Sequence, residues 1–395
     1  MTAFSRVDPQ QTLGSVPTPM KQSVRFAIFT AFLALAAATL SAEEPTTQKA
    51  AKDAKMFRPG EKWLDDHGTA INAHGGGILV VGDVYYWFGE HKIEGDAGNF
   101  AQVGVHVYAS KNLYDWEDKG IALKVSEDPK SDIVKGCILE RPKVISCPKT
   151  KKFVMWFHLE LKDHGYNAAR AGTAIADSPT GPYQFVESFR LNPGKWPKNA
   201  TEADKQPNEK NFLARDFQGG QMSRDMTLFV DDDGRAYHIA SSEENRTLHI
   251  SLLTDDFMHT SGQYVRILPG KSNEGAAVFK RGGRYFLISS ACSGWEPNAA
   301  RLASADSIWG PWQEHGNPCV GSPEQVKTTF HSQSTFILPA PGKPGSFIFL
   351  ADRWNPKNAI DGRYVWLPIQ FHEEKPFVEW KASWNLGFFD VDQPR

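Results

Sequence analysis

The sequence predicts an all-β fold, a five-bladed β-propeller. Three observations carry that reading. A unit of apolar strand, polar turn and aromatic strand recurs five times. Four of the units run on into a further strand that closes in a turn of its own. No long segment shows the 3.6-residue apolar spacing of a helix. A β-sandwich would also alternate short strands. The propeller accounts better for the repetition, because each blade buries its faces only against its neighbours.

The units follow in order. The first is ILVVGDVYYWFGE with VYASKNLYDWE, and the second is KVISCPKTKKFVMWFH with AIADSPTGPYQF. The third is TLFVDDDGRAYHIASS with SLLTDDFMHTSG, and the fourth is AVFKRGGRYFLISS with LASADSIWGPWQE. The fifth, TFILPAPGKPGSFIFLA, ends in RYVWLPIQF. Each turn carries the Gly, Pro, Asp or Lys that hairpins require. Five four-stranded sheets are expected over residues 56–395. The Lys-, Asn- and Pro-rich stretch 190–221 breaks the rhythm between the second and third units and reads as a surface insertion at one rim of a cleft.

The start of the chain reads differently. From Met20, Lys21 and Arg25 precede the apolar run Phe26 to Leu40, and small residues at Ser41 and Ala42 suggest cleavage before Glu43. This is the pattern of a signal peptide over about 20–42, with residues 1–19 as an upstream extension and 43–55 as a flexible lead-in. The run is short and Ala-rich for a membrane span, so a secreted or periplasmic protein without stable membrane insertion is expected, with a membrane anchor as the alternative. The net charge of −2, with no basic run beyond that segment, argues against nucleic acid as a partner. Aromatic residues make up 12% of the chain, with 12 Trp. That suits a carbohydrate cleft, although Trp also fills cores. The four cysteines form no CxxC pair; Cys137–Cys147 and Cys292–Cys319 are the disulfides that closeness in sequence suggests, with free buried thiols as the alternative.

The chemistry concentrates where the repeats begin. Glu274 stands just before the fourth unit's first strand, Asp225 before the third and Glu140 before the second. Gln333 takes that place in the fifth and His74 in the first. In a propeller these positions converge at one mouth of the central channel. Carboxylates gathered in a pocket are the equipment of glycoside hydrolysis, in which one acid stays protonated to serve the leaving oxygen and another group handles water. The plainer alternative is that they cap strands or surround a central ion or water.

At these residues the chain resembles glycoside hydrolase family 43. EGAAVFKRGGRYFLISS is similar to that family's general-acid strand, and RDMTLFVDDDGRAY to the strand bearing its pKa-modulating Asp. AHGGGI, YYWFGE, ERPKV, SSE, SGWEPN, SQST and DRW resemble the exo-β-1,3-galactanase-like branch. The resemblance implies a five-bladed propeller and an inverting mechanism, with Glu274 as general acid tuned by Asp225. The family's usual base, a first-blade Asp, has no counterpart at AHGGGI. The branch implies Gln333 as base in its imidic form, with Glu140 the simpler alternative. Glu140, Glu90 and Tyr166 would contact the sugar.

Further sugar contacts are expected from Trp295 as an apolar platform, Ser293 through its hydroxyl, Glu243 and His74. Asp352-Arg353-Trp354 suits a structural ion pair, with an Arg set beside a carboxylate in the cleft as the alternative. No cofactor or metal is expected, though an ion in the channel beside His74 and His331 is compatible with the sequence. DDDG at 231–234 lacks EF-hand spacing, GGG at 75–77 leads into a strand rather than a phosphate-binding helix, and GxSxG and HExxH are missing. The expected activity is release of terminal galactose from β-1,3-galactan or arabinogalactan-type glycans, with an oligo- or polysaccharide partner. Sister specificities are β-galactofuranosidase and α-L-arabinofuranosidase. A non-catalytic sugar-binding propeller is the rival from another class. A phosphorolytic enzyme would need an anion cluster, whereas Arg141, Arg224 and Arg353 lie on different units.

Overall fold

The computed structural model describes residues 55–390, so the signal-peptide and lead-in readings lie outside the described residues. The strands form five sheets. Blade 1 comprises β1 (His74–Val81), β2 (Val84–Lys92), β3 (Gln102–Ser110) and β4 (Glu117–Lys124). Blade 2 comprises β5 (Ile138–Ser146), β6 (Phe153–Glu160), β7 (Arg170–Ala176) and β8 (Gln184–Phe189). Blade 3 comprises β9 (Met226–Val230), β10 (Ala236–Ser242), β11 (Thr247–Leu253) and β12 (Thr260–Ile267). Blade 4 comprises β13 (Asn273–Arg281), β14 (Arg284–Ala291), β15 (Arg301–Ala305) and β16 (Gln313–Gly316).

The last blade departs from the expected four strands. It adds β17 (Cys319–Val320) to β18 (Gln333–Pro339), β19 (Phe347–Arg353), β20 (Arg363–His372) and β21 (Lys375–Glu379). β17 pairs parallel to β21, a pairing that follows no hairpin and so left no turn signal. The first strand of each of the first four blades, and β18 of the last, lies innermost. β1 packs on β5, β5 on β9, β9 on β13, β13 on β18 and β18 on β1, which closes the propeller. Phe57 and Trp384 exchange backbone hydrogen bonds of 2.7 and 3.1 Å and tie the two ends of this unit together.

Aromatic packing seals the seam between the first and last blades. Phe57, Trp63, Trp87, Trp116, Tyr364, Trp366 and Trp384 share one cluster, with Trp87 4.5 Å from Tyr364 and 4.8 Å from Trp366, ring centre to ring centre. Much of the Trp content thus serves burial, at about 1.5–3 kcal/mol for each large apolar side chain removed from water. Among the described residues no helix is long and apolar enough to cross a membrane.

All four cysteines are free. Cys137 and Cys147 flank the two ends of β5, which at about 3.3 Å per residue sets them roughly 30 Å apart, far beyond the ~7 Å that a disulfide tolerates. Cys319 is buried in β17, whereas Cys292 is exposed just past β14, so the second suggested pair is also not formed. The 190–221 insertion is joined at its neck by Leu191 and Gln221 and holds Trp196 stacked on Phe217 at 4.2 Å. It lies on β12 and touches the rim through Arg215, which pairs with Glu244 at 3.0 Å.

Candidate active site

Four of the inner strands carry a β-bulge, at His74/Gly77, Glu140/Lys143, Glu274/Ala277 and Ser334/Phe336. In three of them a left-handed residue follows the position singled out by the repeat: Gly75 at φ +61°, Arg141 at +56° and Gly275 at +60°. Such bulges re-aim the neighbouring side chain and are common beside active sites. A side chain at Gly275 would press on Gln333 and the Ser334 carbonyl, both 3.0 Å from its Cβ position. Glycine is required there for close approach. Across each hairpin stands a second ring: Glu90 faces His74, His158 faces Glu140, Ser290 faces Glu274 and Asp352 faces Gln333.

These positions surround a cavity of about 250 Å³. It brings together Glu274, Asp225, Gln333, Glu140, Glu90, Tyr166 and Trp295. Asn99, Arg141, His158, Arg224, Asn245 and Trp354 also line it and were not anticipated. Gln333 donates to Glu274 Oε1 at 3.0 Å and to Ser290 Oγ at 2.8 Å, and its Oε1 accepts from Arg141 Nη2. Arg141 also pairs with Asp225 Oδ2 at 2.8 Å. Asp225 accepts the Gly275 N–H at 3.0 Å, which anchors the residue next to Glu274. Glu274, Gln333, Arg141 and Asp225 therefore form one hydrogen-bonded group.

The two principal glutamates have opposite electrostatic settings. Burial, then the neighbouring Asp225 charge, push the Glu274 carboxyl up to about 7, against the pull of Arg141. Burial also pushes Glu140 up, but His158, Lys92 and Tyr166 outweigh it and hold that carboxyl down to about 2. Glu140 Oε1 accepts from Tyr166 at 2.9 Å and from Asn99, and Oε2 lies 2.8 Å from His158 Nδ1. His158 Nε2 lies 2.8 Å from Glu160. Burial alone would lower this imidazole; its bonds to Glu140 and Glu160 instead raise it to about 9. Glu140, His158 and Asp225 each place one atom within 4.8 Å of the others, the one ligand-type set at this mouth among the described residues. The cationic His158 and Arg141 already neutralise it.

Other anticipated contacts lie elsewhere. His74 is fully buried behind the cavity, packed on Trp354 and Tyr364, and burial drives its imidazole down to about 3, so it is neutral. Glu243 lies outside the lining, held by Arg266 at 2.7 Å and His249 at 2.8 Å. Ser293 sits on an exposed loop, where it accepts from Asn298 at 2.6 Å and donates to the Glu296 carbonyl. Arg353 does not pair with its neighbour Asp352: it donates to the Phe330 carbonyl at 2.8 Å, and Asp352 accepts the Gly75 N–H. Arg141 comes from the bulge of β5 itself, and the other contacts that were not anticipated come from loops or from the cross-strand ring. Only the position of His158 opposite Glu140 could have been inferred, by extending the repeat to the second strand.

The comparisons agree with this geometry. Residues 74–351 match the family model for glycosyl hydrolases family 43. The chain belongs to that family and is a glycoside hydrolase. It is similar to a family-43 β-1,3-galactosidase solved with galactodeoxynojirimycin, at 50% identity over 83% of this chain and 100% of that one, with a TM-score of 0.79. An exo-β-1,3-galactanase from Phanerochaete chrysosporium, solved with β-1,3-galactotriose, shares 31% identity over 84% of this chain and 68% of that one, with a TM-score of 0.70. An exo-β-1,3-galactanase from Clostridium thermocellum shares 32% identity over 84% of this chain and 66% of that one, with a TM-score of 0.71. A comparison with curated proteins returned no match.

Asp225 gives a direct test of the electrostatic arrangement. Asp225→Asn removes the like charge that raises Glu274 and releases Arg141 to lower it further. Both effects favour the ionised acid, so the alkaline limb of kcat/KM is expected to move to lower pH. A limb that stays in place or moves upward would show that Asp225 does not tune Glu274.

Proposed function

We propose that this protein is an inverting exo-β-1,3-galactosidase that releases terminal galactose from β-1,3-galactan or arabinogalactan-type glycans. The observation that carries the reading is the half-buried Glu274 carboxyl, pushed up to about 7 beside Asp225 and bonded to Gln333 in a cavity of about 250 Å³. Glu274 donates its proton to the glycosidic oxygen, and the C1–O bond breaks as water attacks the opposite face. That water passes its proton to the base, and the released galactose is the α-anomer.

Glu140 is poorly suited as base. It already accepts three hydrogen bonds and is held at about 2, so near pH 7 it gives little driving force for proton abstraction. It serves better as an ionised anchor for Tyr166, Asn99 and the sugar. Gln333 takes the base role. The guanidinium at its oxygen and the Glu274 carboxyl that accepts from its nitrogen draw the amide towards its imidate-like form. An inverting pair needs about 6.5–9.5 Å to admit a water, whereas Gln333 and Glu274 are in direct contact, so the bound sugar must part them. Trp295 and Trp354, with ring centres 5.9 Å apart, supply the apolar wall.

The test is product release from β-1,3-galactobiose and from aryl β-galactopyranoside, β-galactofuranoside and α-L-arabinofuranoside, with the anomer followed by NMR. α-Galactose from the β-1,3-linked substrate alone supports the reading. Release from a furanoside instead would assign one of the sister specificities, and binding without release would make the protein a sugar-binding propeller. Export by the 20–42 segment is part of the same proposal, and N-terminal sequencing of the mature protein tests it.

A further inference from the structure

Beneath the acids lies a buried charged layer that no step of this hydrolysis uses. Lys143, on β5, is 2% exposed. Its Nζ donates to the Gly75 carbonyl at 2.8 Å and to the Arg141 carbonyl at 3.3 Å. These carbonyls belong to the two left-handed residues that form the bulges of β1 and β5. The amide of each is held by a buried carboxylate. Asp352 accepts the Gly75 N–H, and Glu90 Oε1 accepts the Arg141 N–H at 2.9 Å. Glu90 in turn pairs with Lys92 at 2.7 Å. The two bulge peptides are thus clamped on both sides by charged groups from the first, second and last blades.

The clamp matters most at Arg141. A non-glycine residue persists in the left-handed region only where its surroundings over-determine it. That conformation accompanies a guanidinium reaching Asp225, Gln333 and the Ser334 carbonyl, the last at 3.3 Å. Burying an amino group is costly unless it is bonded, and here both peptide carbonyls receive its N–H groups.

We propose that Lys143 is a positioning residue for the reaction. Its amino group fixes the Arg141 peptide, and through Arg141 it sets Gln333 and Asp225 against Glu274. It touches neither substrate nor reacting atoms. The inference rests on the galactosidase reading for its kinetic consequence, but its structural consequence stands apart.

Lys143→Met keeps the methylene packing beside Gly77 and removes the donor. Misplacing the reacting groups costs about 10²-fold in kcat, so that loss is expected on β-1,3-galactobiose with KM little changed. Lys143→Gln, which retains a donor, is expected to recover part of it. In an Arg141→Ala background Lys143→Met should cost almost nothing more, since both changes break one chain of contacts. The same fold-loss in both backgrounds, or a kcat at the wild-type level, would overturn the proposal. If the Met variant does not fold, Lys143→Gln carries the same cycle. If the wild type releases no sugar at all, the galactosidase reading fails, and a crystal structure of the Lys143 variant decides the proposal. Arg141 displaced from Gln333 and Asp225 supports it, and Arg141 unmoved refutes it.

Discussion

Glu274→Gln is expected to lower kcat on β-1,3-galactobiose about 10³-fold while galactose still binds, because general-acid catalysis contributes ~10²–10⁴-fold. The amide keeps the size of the carboxyl and can still engage Gln333, but it has no proton to give the leaving oxygen. A substrate that needs no such proton separates this role from mere damage. On 2,4-dinitrophenyl β-galactopyranoside the variant should lose far less activity. Equal losses on both substrates would remove Glu274 from the acid role. The wild-type pH profile follows from the same carboxyl. The acid must be protonated to act, so kcat/KM should fall as pH rises through about 7 and be retained below it. In Glu274→Gln that alkaline limb should vanish.

Gln333→Ala is expected to cost roughly 10²–10³-fold in kcat, the range of a lost general base. Sodium azide, which needs no deprotonation, should restore turnover and yield α-galactosyl azide: azide attacks C1 while Glu274 protonates the departing oxygen. Glu140→Gln should behave otherwise. It removes the anion that anchors His158, Tyr166 and Asn99, so KM should rise and azide should not help. Azide rescue of Glu140→Gln but not of Gln333→Ala would reverse the assignment. A purely structural role for Gln333 would give no azide product.

The contrast between Glu140 and Glu274 explains why only part of this site could be read from the chain. Both occupy the same place in the repeat, and the hydrophobic pattern carried that place legibly: a short strand, a turn and an aromatic strand imply a blade, and the start of its first strand implies the channel mouth. Glu274, Asp225, Glu140 and Gln333 were legible for that reason. Their roles were not, because a carboxyl's proton affinity depends on what folding puts beside it. Glu140 meets His158, Tyr166 and Asn99, whereas Glu274 meets burial and another carboxylate. His74 shows the limit of the positional argument. It holds the same repeat position, but its ring turns into a pocket against Trp354 and Tyr364, and Glu90 reaches the cavity from the next strand.

What the sequence determined by itself was local and periodic. Strand alternation and turn chemistry act over a few residues, so the five units, their order and the inner-strand positions could be derived from it, and the family motifs lie on those units. What only the tertiary structure decided was everything that requires ring closure. This includes β17 against β21, the separation of the cysteines, the bond from Arg141 to Gln333 almost two hundred residues away, and the charged floor of Lys143, Glu90 and Asp352. Electrostatics between side chains depends on distance in space and on burial, and neither is written in sequence separation.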